Sequence, residues 1–391
     1  MDTKTNTKHC AYARQMVAKA RKKEPGKTPK WVNDLVEHMA GLLVERHILK
    51  GGEVWGLAKA DPDQDLPYDE QGSALVIAMA RRYNLFEQIG GFNKTAKQAA
   101  IRFWQAWQDP KTGRFFDPRN PNRVVNEKYV PILLAALDAK PLYPFSFSSK
   151  TGQADTRVFL QRTKDDPSWE QGGWAAGSHT GFMAVEIFRS ICDQGRIDLI
   201  PDLEKGVEQI LAHQGKDGLW GPAEAPLAGR IGGTLKVIGR LYFQLGMMIP
   251  RAKKLADSLI AHEMDGDWFR ASLNFCIPRN VTEMLAFCLE TLDYRRADLF
   301  TAMQSNLYHH RAHLNPDGSW SPDRGVGRGG FCDGYALGML GGYLHWADCR
   351  FNNPSASWPL TRGTQFKHRL KLRDDGKVKV VKAPAYRTSR V

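Results

Sequence analysis

"QGKDGLWGP", residues 214–222, sets Gly218 and Trp220 two apart behind Gln214. An amphipathic segment, 201–214, runs into it, and a more apolar one, 232–246, leads away. In the second, Leu235, Ile238, Leu241, Tyr242 and Leu245 keep helical spacing. Glycine accepts the left-handed backbone that closes a helix. An indole two residues later offers a large apolar body with one polar handle. The stretch therefore reads as the turn of a helical hairpin, its indole expected to wedge between neighbouring hairpins.

The signature recurs six times: Gly51 to Trp55, Gly113 with Phe115, Gly172-Gly173-Trp174, Gly218 with Trp220, Gly266 with Trp268, and Gly318 with Trp320. The spacing, roughly 46–60 residues, is that of stacked supersecondary units. Amphipathic stretches precede the turns at 31–49, 94–108, 155–163, 201–214, 250–262 and 295–313. Segments richer in Ala, Gly and aliphatics follow at 71–87, 125–138, 178–193, 232–246, 279–292 and 333–347. Charged faces on the first kind suit an outer ring, whereas the second kind suits helices touched on all sides. The expectation is an all-α fold, an (α/α)6 toroid of six helical hairpins over 31–349. A basic arm, 1–30, precedes it and a basic extension, 350–391, follows.

Length and composition agree: 391 residues, 42% hydrophobic and 25% charged, suit a large helical core. No apolar run is long enough to span a bilayer. The start, MDTKTNTKHCAYARQ, lacks the apolar core of a secretory leader, and the six cysteines are scattered without a CxxC pair. A cytoplasmic protein is expected. The net charge of +13 resides at the ends: nine Lys/Arg against Asp2 and Glu24 give 1–30 a charge of +7, and ten against Asp374 and Asp375 give 361–391 +8. That leaves the body at −2, so the charge says little about a central cavity.

Gln214-x-x-x-Gly218-x-Trp220, Asn315-x-x-Gly318-x-Trp320 and Gln108-x-x-x-x-Gly113-x-Phe115 resemble the QW-type repeats of terpenoid-cyclase and protein-prenyltransferase toroids. The alternating helical pairs across 31–347 equally resemble six-hairpin glycosidases, polysaccharide lyases and sugar epimerases. These resemblances imply a fold more firmly than a reaction. Terpenoid cyclisation in the first family relies on a DxDD acid, and here Asp61-Pro-Asp63-Gln-Asp65 departs from it. The prenyltransferase zinc needs Asp, Cys and His together. Cys332 and Asp333 lie a dozen helical residues, about 18 Å, from His345. His309-His310-x-x-His313 closes an outer helix, where basic groups meet the negative dipole end. No metal or cofactor is expected.

In such a toroid the inner-helix N-termini gather at one mouth. The residues falling there are Tyr68, Asp69, Glu70, Asn126, Glu127, His179, Arg230, Lys236, Arg279, Asn280, Glu283, Arg328, Asp333 and Tyr335. Ser178, Asn280 and Asp333 also fit helix N-caps. Asp69, Glu70, Glu127, Glu283, His179 and Tyr335 are candidates for acid/base work, with two carboxylates flanking a sugar bond as one arrangement. Tyr68, Asn126, Arg230, Lys236, Arg279, Asn280, Arg328 and Asp333 are candidates for binding substrate. Polar lining suits sugar hydroxyls better than a carbocation, which favours aromatic walls. The expected partner is a small-molecule or oligosaccharide substrate, uronate-containing ones included. Over 366–383, alternation around Asp375-Gly376 predicts a β-hairpin with a basic face. The absence of interleaved aromatics argues against nucleic-acid stacking there.

Overall fold

The computed structural model describes residues 57, 70, 72–74, 77, 93–120, 122, 123, 125, 127, 129–145, 154–242, 244–267, 276–310 and 368–382. These are mostly helical, with one two-stranded sheet. Amphipathic helices α1 (Lys94–Gln105), α3 (Thr156–Asp165), α5 (Ile200–Ala212) and α7 (Ala252–Asp265), and α9 (Arg296–His310), which is buried at 299–303 and 305–307, alternate with apolar ones. The latter are α2 (Tyr129–Ala136), α4 (Trp174–Gln194), α6 (Leu227–Leu241) and α8 (Cys276–Thr291). None of the helices among the described residues is long and apolar enough to cross a membrane.

Contacts divide the chain into two compact units. In the unit holding α3–α6, α4 packs along α6, while α3 packs on α5. Like helices thus pair with like. On α5 the buried side chains Leu203, Val207, Ile210 and Leu211 form one stripe, and Gly206 opens it to the Phe159 ring. The α4–α6 crossing is closer still. A Cβ on Gly233 would sit 2.2 Å from the carbonyl oxygen of Gly172, so two backbones touch where any side chain would part them. In the other unit α8 packs on α7 and α9, which also pack together, and α1 packs on α2.

The apolar helices begin earlier than hydrophobic periodicity suggests: α4 at Trp174, α6 at Leu227 and α8 at Cys276. Their first turns contain Ala, Gly and Pro, which carry little periodic signal yet fit a helix start that neighbours enclose. Ser178 and Asn280 therefore lie inside helices, not at caps. The start of α4 is closed instead by Gly173, at φ 77°, and by Ser168 Oγ, which accepts the Ala176 N–H at 2.7 Å.

The opening turn is held from several sides. Gly218 adopts φ 88°, and Gln214 donates its amide to the carbonyls of Gly218 (2.9 Å) and Pro250 (2.8 Å). Trp220 is fully buried. Its indole N–H donates to the Ile210 carbonyl at 2.8 Å, and its backbone N–H donates to Thr234 Oγ1 at 2.8 Å. This indole is therefore anchored within its own hairpin, between α5 and α6. Trp174 reaches the next hairpin, its ring lying where a Cβ on Gly232 would be. Trp55, Trp268 and Trp320 lie outside the described residues.

The predicted hairpin is present. β1 (His368–Leu372) pairs antiparallel with β2 (Val378–Lys382), Leu372 opposite Val378. Leu370 and Val378 are buried, and two backbone N–H groups of β2 are received by α5. Val378 donates to Glu208 Oε1 and Val380 to Glu204 Oε1, each at 2.9 Å. Carboxylates one helical turn apart thereby cover an edge that would otherwise invite another strand.

Candidate functional site

Five of the candidate residues, Glu70, Glu127, Arg279, Asn280 and Glu283, are buried and belong to the unit that holds α8. Tyr68, Asp69, Asn126, Arg328, Asp333 and Tyr335 lie outside the described residues, as do Asp61, Asp63, Asp65, His313, Cys332 and His345.

Residues 277–285 of α8 are all buried. Pro278 is accommodated because the first turn needs no donor from it. One turn carries a cation, an amide, a hydroxyl and a carboxylate in sequence. Arg279 Nη2 donates to Glu283 Oε1 at 2.6 Å, an i,i+4 pair with both side chains under a tenth exposed. Thr282 Oγ1 lies 3.1 Å from the Pro278 carbonyl and 3.2 Å from Asn306 Oδ1 on α9. Asn280 differs from its neighbours. It is 1% exposed, and neither Oδ1 nor Nδ2 has a hydrogen-bond partner among the described residues. Ser305 Oγ and Asn306 Nδ2, both buried on α9, also lack partners among the described residues. Native interiors rarely leave such groups unmet.

A second polar assembly surrounds Glu70. Its carboxylate pairs with the guanidinium of Arg123, whose Nη1 donates to Asp117 Oδ2 at 3.1 Å. Asp117 also accepts the backbone N–H and Nε of Arg119 at 3.0 and 3.2 Å. Burial pushes the Asp117 carboxyl up, but the Arg119 and Arg123 donors outweigh it and hold the group below its ordinary range. For Arg123, burial is outweighed by Glu70 and Asp117, which raise it. Both guanidinia lie over the Trp107 ring, 5.9 and 5.8 Å from its centroid. Sequence reasoning missed Asp117, Arg119 and Arg123. The only signal was the turn DPRNPNR, 117–123, with two arginines behind an acid.

The other unit holds the remaining candidates apart. Arg230 donates to Asp217 at 2.8 Å and so ties α6 to the 214–222 turn. His179 is exposed, its Nδ1 3.2 Å from Arg162 Nη1. Lys236 is half-buried beside Gly177. Cys192 lies 3.9 Å from His368 Nδ1. Burial, with Asp193 adding to it, pushes this thiol up to about 12, far from a reactive thiolate. Among the described residues, no three His, Cys, Asp or Glu side chains converge as a metal cage would require.

No family model, curated protein or solved structure matches this chain. Function must be argued from the site. In α8, a guanidinium, a carboxamide and a carboxylate within five residues offer donors and acceptors in a buried setting, where hydrogen bonds are strong and unmet groups costly.

Proposed function

We propose that the chain is an (α/α)6 toroid and a cytoplasmic enzyme acting on an oligosaccharide, uronate-containing chains included, by hydrolysis, elimination or epimerisation. Asn280 carries the reading. A sugar hydroxyl donates and accepts together, as a carboxamide does, so one hydroxyl satisfies an amide that the protein leaves unmet. An apolar isoprenoid would leave both atoms unsatisfied, at about 1–3 kcal/mol for each. Arg279 beside it supplies a cation for a uronate carboxylate, and Glu283 supplies a carboxylate.

The toroid is supported by the pairing of apolar helix on apolar helix and of amphipathic on amphipathic inside one unit. The reducing compartment is supported by the free thiols of Cys192, Cys276 and Cys288. The terpenoid-cyclase-like alternative draws on the shared clamps of Gln108 and Gln214. Those clamps brace turns, and bracing recurs with any chemistry.

The test is a panel of neutral and uronate oligosaccharides, followed by reducing-end release, absorbance of unsaturated products and melting temperature. One sugar class should be turned over or raise the melting temperature, and Asn280→Leu should abolish that response while the protein stays folded. No response to any sugar would leave the toroid as a scaffold or a terpenoid-type relative.

A further inference from the structure

The C-terminal hairpin offers a second surface, independent of the sugar reading. Its inward face is fixed: Leu370 and Val378 are buried, and Glu204 and Glu208 hold β2 by its backbone. Its outward face displays Arg369, Lys371 and Lys379, all exposed, with Arg373 and Lys377 flanking the turn. The register places Lys371 directly opposite Lys379. Like charges in that position destabilise a ladder, and a two-stranded hairpin has little stability to lose.

Folding offers partial relief only. Lys379 meets Glu204 at 2.7 Å and Arg373 meets Asp375 at 3.3 Å. Arg369, Lys371 and Lys377 have no ion pair among the described residues. Local conflicts of this kind are expected at functional or strained sites.

The partner's chemistry follows from what the face has and lacks. Alternate residues on a strand are about 6.8 Å apart, twice the roughly 3.4 Å axial rise per phosphate on one DNA strand. Residues 368–382 include no Phe, Trp or Tyr, so neither single-stranded bases nor sugar rings find a stacking platform. No large apolar side chain is exposed there to enter a bilayer. A ribbon seated on a helix cannot sink into a groove and read bases, but it can lie along a backbone. We propose that this face binds the phosphate backbone of duplex nucleic acid, without sequence preference.

The test is fluorescence anisotropy of the full chain with a labelled mixed-sequence duplex across a salt series. Affinity should fall linearly with salt on logarithmic axes, and Lys371→Gln with Lys377→Gln should reduce that slope by about 1.8. Lys371→Arg with Lys377→Arg should restore it, which separates charge from misfolding. The matching single strand and anionic-lipid vesicles should bind more weakly than the duplex. An unaltered slope in the Gln variant would overturn the proposal. So would vesicles or single strands bound as tightly as duplex and lost in the same variant.

Discussion

Gln214 donates its side-chain amide to the carbonyl of Pro250 at 2.8 Å. Gln108 does the same to Tyr143 at 2.9 Å, and each glutamine gives its other hydrogen to the glycine of its own turn. The two turns differ in length by one residue, yet the clamp is the same. In both, glutamine ties the turn after an amphipathic helix to the segment that follows the next, apolar helix. Gln214 Oε1 has no partner among the described residues, so the donors do the bracing there. Gln214→Ala should therefore lower unfolding free energy by about 2–4 kcal/mol, since two carbonyls lose their donors. Gln214→Glu, isosteric but without those donors, should cost at least as much. Urea denaturation measures both, and a loss under about 0.5 kcal/mol, the range of ordinary surface changes, would refute the clamp.

The repeat was legible because its physics is local. A glycine at φ 88° and an indole two residues on announce a turn in any context. The β-hairpin was legible for the same reason, through Asp375-Gly376. Helix starts were not, because Trp174-Ala-Ala-Gly and Leu227-Ala-Gly-Arg become helical only where another backbone packs against them. Arg230, a candidate for binding substrate, also tethers a turn through Asp217, a partner no local spacing announces. Asn280 fits a cap in sequence and is an interior amide without a partner among the described residues. The Glu70–Arg123–Asp117 assembly joins segments far apart in sequence, and no spacing rule reaches that distance.

His213 gives the stability a pH dependence. Its ring stacks on Trp169 with centroids 4.3 Å apart and planes 8° from parallel, and Nε2 lies 2.8 Å from the Thr163 carbonyl. Burial lowers its pKa below 6.5, more than the Thr163 carbonyl and Glu170 raise it. The folded chain thus holds the ring neutral, while the unfolded chain takes up a proton near pH 6.5. Its contribution is complete above that pH and is lost as pH falls toward the lower folded value. Melting temperature measured from pH 7.5 down to pH 5 should decline, and His213→Gln should flatten the decline. Parallel curves for the two proteins would rule His213 out as the cause.

Arg279 and Glu283 allow the proposed site to be tested apart from stability. Their 2.6 Å pair lies inside α8 with side chains 6% and 8% exposed. Removing one partner strands a buried charge, so Glu283→Leu alone should cost about 3–5 kcal/mol. Removing both is different: Arg279→Met with Glu283→Leu replaces two desolvated ions by apolar groups of similar bulk. Such replacements are neutral or stabilising by about 1–4 kcal/mol. The double variant should therefore melt at or above the temperature of the parent while losing any oligosaccharide-induced shift. Differential scanning calorimetry with and without the responding sugar reads both quantities at once. A double variant that keeps the sugar response would make the pair structural and move the site off this turn of α8.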